Sequence, residues 1–262
     1  MRRLPRAAIV GLATTCVAVS ARAQDTPSAD PRVEAILTAL QNRGDGLKDI
    51  RCNVRFVEED QVNYTKRTKE GRIQFQIAEP NSRFLIHFAK TDSDGVLGKQ
   101  EWYLFDGQWL LQVLERLEQI TMQELVRAGD KIDLFDLETA PFPLPFGQKK
   151  DKMLANFDIQ LTPPTADDPA ETDHLVCIPK AGSRLHRRYE RLELFVDRKV
   201  HLPRRIVVTK NKGNEVNTVD FGDLSEKSIN AGVTDKDFER PAAWKNYKEV
   251  KEELLPGEDP AP

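Results

Sequence analysis

The chain holds 262 residues, a length that suits one large single-sheet domain or a modest two-layer domain. Its 39 Lys and Arg stand against 42 Asp and Glu, a formal net charge of −3, so bulk charge offers no attraction to nucleic acid or to an anionic membrane. After Val19 no run approaches the roughly 20 apolar residues of a membrane-spanning helix.

The N-terminus sets Arg2, Arg3 and Arg6 before an apolar run from Ala7 to Val19, and Ala21-Arg22-Ala23 follows with small residues at alternate positions. That order is the charged region, short apolar core and cleavage site of a secretory signal peptide, so residues 1–23 are expected to be removed on export. Removal takes away Arg2, Arg3, Arg6 and Arg22, leaving 35 basic residues against 42 acidic and a net charge of −7. Cys16 follows Ala13-Thr14-Thr15, without the large aliphatic residue that a lipoprotein signal places three before its cysteine, so a soluble domain is expected rather than a lipid-anchored one. Cys52 and Cys177 remain, far apart and both in predicted strands. An exported compartment permits a disulfide between them, and two separate buried thiols are the alternative.

Residues 24–30 are polar and expected to be flexible. Asp30 can cap a helix that starts at Pro31, where Val33, Ile36, Leu37 and Leu40 recur at helical spacing and Gly44 and Gly46 close the element. Strands follow. Ile50, Cys52, Val54 and Phe56 alternate with Arg51, Asn53, Arg55 and Val57; Ile73, Phe75 and Ile77 alternate with Arg72, Gln74 and Gln76; Phe84, Ile86 and Phe88 alternate with Leu85 and His87. Such persistent period-two patterning predicts antiparallel strands with one drier face. After a turn over residues 92–98, a strand from Glu101 to Phe105 meets Asp106-Gly107, a strong hairpin signal, and resumes at Trp109, Leu111 and Val113, with Gln119-Ile120-Thr121 extending the meander.

Between Met122 and Ala155 the pattern changes. Pro141, Pro143 and Pro145 make that stretch too proline-rich for a central strand or a long helix. An excursion over one mouth of the sheet, or a loop packed on a conventional core, both suit it, and residues 148–155 can form a short helix. Strands then return around Phe157–Leu161, His174–Ile178, Leu192–Val196, Ile206–Val208 and Val216–Phe221, and the segment from Val233 to Phe238 is the last predicted ordered element.

No compact set of reactive side chains accompanies these strands. His87, His174, His186 and His201 lie in separate segments, and zinc-spaced cysteines, a His-Glu-x-x-His helix, a hydrolase serine elbow and a glycine-rich nucleotide loop are all missing from the sequence. No metal or cofactor is therefore expected. The acidic pairs Glu58-Glu59 and Asp167-Asp168 read as surface charge. The basic segment holding Arg184, His186, Arg187, Arg188 and Arg191 reads as a solvated strand and turn, with docking to an acidic partner or a lipid headgroup as its other reading.

Several short stretches carry a family resemblance. Leu47-Lys48-Asp49-Ile50 opens the sheet, and Gly71-Arg72-Ile73-Gln74-Phe75 leads to the corner Glu79-Pro80-Asn81-Ser82-Arg83-Phe84. Asp106-Gly107-Gln108-Trp109-Leu110, Glu118-Gln119-Ile120-Thr121 and Phe238-Glu239-Arg240-Pro241 follow. In order and spacing, residues 31–241 resemble the periplasmic outer-membrane lipoprotein-sorting proteins, the lipoprotein carriers of the LolA-like fold. The resemblance implies a mainly β fold with α, in which a curved antiparallel half-barrel is covered by short helices over an apolar cavity. It further implies a periplasmic carrier or binding protein for lipoprotein acyl chains or a related amphiphile. Such a carrier works as a monomer between an inner-membrane donor and an outer-membrane acceptor, with no catalysis, cofactor, nucleic acid or membrane span.

Burying one methylene stabilises by roughly 0.8 kcal/mol, so an acyl chain of about sixteen carbons gains on the order of 12 kcal/mol gross before ordering costs. Phe75, Phe84, Trp102 and Trp109 are the candidate cavity-lining residues, with a helix-facing core as their other placement. Glu79, Pro80 and Arg83 form the candidate lid or corner. The family's carriers set an arginine before the corner proline, whereas this chain has Glu79 there and Arg83 nearby. Residues 31–241 are thus the expected domain and 242–262 a charged C-terminal tail. Two other functions compete: a non-catalytic envelope scaffold or sensor that holds a protein partner, and a hydrolase whose site is assembled from distant residues.

Overall fold

The computed structural model describes residues 30–134, 137, 146–210 and 213–254. The expected signal peptide, residues 138–145 of the proline-rich excursion and residues 255–262 of the expected tail lie outside the described residues.

Helix α1 (Pro31–Asp45) begins where the sequence places it: the Asp30 carboxylate accepts the Arg32 backbone N–H at 2.9 Å and Pro31 occupies the first turn. Val33, Leu37 and Leu40 form its buried stripe, each contributing about 1.5–3 kcal/mol gross by leaving water. The stripe ends at buried Gly44, where a Cβ would stand 2.2 Å from the Gly147 Cα, so only glycine lets the two backbones meet. The Gln41 side chain accepts the Lys150 N–H at 2.9 Å, starting α2 (Lys150–Asn156) against α1.

The strands are β1 (Asp49–Asp60), β2 (Thr65–Gln76), β3 (Arg83–Ser93), β4 (Val96–Leu97), β5 (Glu101–Phe105), β6 (Trp109–Leu114) and β7 (Gln119–Glu124), then β8 (Phe157–Thr162), β9 (Thr172–Pro179), β10 (Tyr189–Asp197), β11 (Pro203–Lys210), β12 (Glu215–Gly222) and β13 (Lys248–Glu252). They form one sheet in the order β13-β7-β6-β5-β3-β2-β1-β12-β11-β10-β9-β8, with β4 paired to β3 alone. The sheet is open. Its terminal strands β13 and β8 do not pair with each other, and β13 runs parallel to β7.

This overturns the expected curved antiparallel half-barrel. The sheet neither closes nor strongly curls, and it is mixed because the segment expected as a charged tail folds back along β7, with Lys248 opposite Gln119 and Glu252 opposite Gln123. A half-barrel also has one apolar face, whereas this sheet has two apolar clusters. The larger joins α1 and α2 to Ile50, Cys52 and Val54 of β1, Ile73 and Phe75 of β2, Phe84, Ile86 and Phe88 of β3, and inward residues of β8–β12. The smaller lies on the reverse side of β5–β7, where Leu104, Leu111, Val113, Ile120 and Met122 pack under Val233, Phe238 and Trp244. Residues 233–254 are therefore part of the fold, through 3-10 turns at Asp235–Phe238 and Ala242–Asn246 that deliver Phe238 and Trp244.

Register across the centre is fixed by one row of facing residues. Glu70, Arg55, Asp220, Arg205, Phe195 and His174 stand opposite one another on β2, β1, β12, β11, β10 and β9. Arg205 Nε donates to Asp220 at 2.6 Å, and the Phe195 ring stacks on His174 at 4.0 Å. Slipping one strand by a residue would break the row and turn the apolar residues outward. Cys52 and Cys177 are both buried free thiols, so the permitted disulfide is not formed. Burial, with a smaller push from Asp223 and Glu193, raises each to about 12 and leaves both protonated and inert at neutral pH.

Candidate ligand cavity

On the helix side of the sheet lies a cavity of about 400 Å³, within the range of small-ligand sites, roughly 300–1,000 Å³. Val54 and Phe56 of β1, Ile73 of β2 and Ile86 and Phe88 of β3 form one wall. Phe221 and Val219 of β12, Ile206 and Val208 of β11 and Leu194 and Leu192 of β10 form the other, and Leu137, Gln148 and Met153 lie over them. The alternation of each strand supplies these side chains, and the backbone approach at Gly71 brings β2 onto β3: a Cβ there would stand 1.8 Å from the His87 carbonyl.

The cavity has a closed end and an open one. Along β1 burial falls from Val54 to Phe56, along β12 from Phe221 to Val219 and Asn217, and along β11 from Ile206 through Val208 to exposed Lys210. Polar groups collect at the open end. Lys210 pairs with Glu215, and Asn217 donates to the same carboxylate at 2.9 Å. Burial pushes the Glu215 carboxyl up, but the Lys210 and Asn217 hydrogen bonds outweigh it and hold the group below the usual range, so the rim stays ionised. Beside Phe88, the largely buried Lys69 ammonium bonds Glu101 at 2.6 Å and lies 5.6 Å from the centroids of both Phe88 and Tyr103.

The four candidate lining residues are not brought together. Phe75 and Phe84 face the helices but are fully buried in the core beyond the closed end, and neither borders the cavity. Trp102 and Trp109 lie on the reverse face against the smaller cluster, where Trp102 meets Trp244 edge-on at 5.6 Å. The corner residues do meet. Glu79, Pro80 and Arg83 border a second, polar cavity of about 710 Å³ together with Asp106, Gly107, Arg127 and Asp235. The Glu79-Pro80 bond is cis, and Glu79 pairs with Lys131 at 2.9 Å. Arg83 bonds Gln76 and Asp235 and covers the Phe238 ring at 4.7 Å, so its charge secures the C-terminal segment.

Buried Asn81 ties this corner together. Its amide donates to the carbonyls of Gly107 at 2.8 Å and Asp130 at 3.0 Å, and its oxygen accepts the Ile132 N–H at 2.9 Å.

The sequence reasoning missed Phe56, Phe88 and Val219 as lining residues, although their strand faces were legible. Alternation assigns a face and says nothing of depth along the strand. Among the described residues, no group of three or more His, Cys, Asp or Glu is arranged to hold a metal ion. His174 stands with Glu193 at 2.7 Å and Asp168 at 3.6 Å, and none of the three borders the cavity.

No family model matches the chain, and no curated protein does. Solved structures do match. An uncharacterized conserved protein from Thermus thermophilus is 13% identical, over 84% of this chain and 99% of that one, with a TM-score of 0.48. Lipoprotein LppX from Mycobacterium tuberculosis is 12% identical over 79% and 99%, with a TM-score of 0.45. A LolA superfamily protein from Nitrosomonas europaea is 13% identical over 78% and 97%, with a TM-score of 0.35.

Proposed function

We propose that this chain is an exported, non-catalytic binding protein that holds the apolar part of an amphiphile in the cavity between β3 and β10. One observation carries the reading: aliphatic and aromatic side chains from six strands border a 400 Å³ space whose only charged lining residue among those described, Lys210, stands at the open end. An apolar chain entering there leaves water along its length while its polar end stays at the ionised rim. Export rests on residues 1–23, and the periplasm is the compartment that the lipoprotein-carrier resemblance names. Transfer of lipoprotein acyl chains from an inner-membrane donor to an outer-membrane acceptor is the specific form of this role, and it is consistent with the resemblance of residues 31–241 to that family.

Native mass spectrometry of the exported protein, followed by denaturing lipid extraction, tests the reading. A mass increment that resolves on extraction into an acyl-bearing compound is expected. Protein that carries no amphiphile, and that also fails to take up added lipoprotein or a single-chain amphiphile, would refute it.

A further inference from the structure

The most exposed large apolar side chains among the described residues are gathered at one edge. Tyr64 is 88% exposed, Leu97 81%, Val96 70% and Val62 60%. Tyr64 and Val62 sit in the β1–β2 turn, and Val96 and Leu97 form β4 just past the β3–β4 turn. The two tips are neighbours, because the Asp94 N–H donates to the Lys66 carbonyl at 3.0 Å and the Lys66 N–H donates to the Asp94 carboxylate at 2.8 Å. Both are firmly built: the Asp60 carboxylate accepts the Val62 and Asn63 N–H groups at 2.8 and 2.9 Å, and the Asp92 carboxylate accepts that of Gly95 at 3.0 Å.

This edge is also the edge at which the cavity opens. β1 passes from Phe56 to the 61–64 turn, the Gln61 N–H donates to the Asn214 carbonyl at 2.7 Å, and β12 then leads back to Asn217 at the rim. We propose that the 61–64 and 94–97 tips are a lipid-docking edge, resting their side chains in the interfacial layer of a neutral phospholipid bilayer with the cavity mouth turned toward it.

Three features select a bilayer over a protein. The apolar groups project from two narrow turns, a shape that inserts a few side chains but cannot supply the roughly 800 Å² per partner of a stable protein interface. The cations next to the 61–64 turn are paired, Lys66 with Glu59 at 2.7 Å and Arg67 with Glu58 at 3.9 Å, and the Asp60, Asp92 and Asp94 carboxylates of the tips accept backbone N–H groups, so the charge there offers no attraction to an anionic lipid. A tyrosine at a tip places an apolar ring with a polar end, which suits the membrane–water boundary. The purpose of such docking, short transit of an amphiphile between bilayer and cavity, rests on the binding role proposed above, while the docking itself is measured separately.

The test is co-sedimentation of the protein, in the form left by cleavage after Ala23, with phosphatidylcholine vesicles. In parallel, a soluble single-chain fluorescent amphiphile reports the cavity. Wild type is expected to partition onto the vesicles at low and high salt alike, and Tyr64→Ser combined with Leu97→Ser to lower partitioning by on the order of tenfold or more, with amphiphile binding unchanged.

The proposal is overturned if wild type ignores the vesicles or if the double variant binds them equally. It is also overturned by binding that needs anionic lipid and falls with salt, or by self-association at the tips that the same substitutions abolish. Vesicle binding that follows the tips without any uptake of the amphiphile would keep the docking edge and remove the cavity reading.

Discussion

At the scale of single residues, one close approach decides whether α1 can meet the segment that leads to α2. Gly44→Ala gains helix propensity, up to about 1 kcal/mol, but its Cβ would stand 2.2 Å from Gly147 Cα and push α1 off the segment that leads to α2. Strain of that kind costs about 1–3 kcal/mol. The clash therefore wins, and Gly44→Ala is expected to lower the urea midpoint without changing the slope.

Asp197 governs an acid limb. Its carboxylate accepts the Lys199 and Val200 N–H groups at 2.8 and 3.0 Å and the Arg204 guanidinium. Burial pushes its pKa up, yet these hydrogen bonds together hold it below the usual carboxylate value. A carboxylate with a depressed folded pKa stabilises fully above its unfolded value of about 3.9 and loses that contribution as pH falls through the folded value. Thermal unfolding of Asp197→Asn should therefore be less stable than wild type at neutral pH, with the gap closing below about pH 4. A gap that stays constant down to strong acid would show that the charge plays no part.

At the scale of elements, the reverse-face cluster depends on the segment beyond β12. Trp244 is buried against Trp102, and its indole N–H has no hydrogen-bond partner among the described residues. Trp244→Ala is expected to cost about 3–5 kcal/mol in chemical denaturation. Trp244→Phe keeps most of the ring contact, removes the unpaired donor and should cost far less. Equal losses in the two variants would contradict this assignment.

The same elements show what could be read in the sequence. The capped helix, the Asp106-Gly107 hairpin and the alternating cores of β1, β3 and β8–β12 were legible because each is patterned locally by apolar period and turn residues. The outer half of β2, Thr65–Glu70, and all of β13 are polar on most positions and become strands by pairing with a neighbour. No local period announces that. The reverse-face cluster was hidden for the same reason, since Leu104, Leu111 and Val113 read as alternation until Phe238 and Trp244 arrive from over a hundred residues away.

At the scale of the molecule, an open two-faced sheet divides its labour. One face of β5–β7 is sealed by residues 233–254, and the helix side of β1–β3 and β10–β12 keeps a space that the described residues do not fill. Phe75 and Phe84 belong to the solid part of that side, while Phe56, Phe88 and Val219 border the empty part, two strand positions or more further on. That distinction between filled and empty depth sets how much room the proposed guest would have, and it depends on where α1, α2 and Leu137 come to lie over the sheet.

The most direct measurement is a titration of wild type and Val219→Trp with a fluorescent single-chain amphiphile, alongside their thermal midpoints. Tryptophan at this half-buried lining position occupies the space a guest would take. The expected result is saturable binding by wild type, a loss on the order of tenfold or more in Val219→Trp, and an unfolding midpoint that is kept or raised as the void fills. Wild type that binds no amphiphile, or a filled variant that binds as well as wild type, would contradict the account.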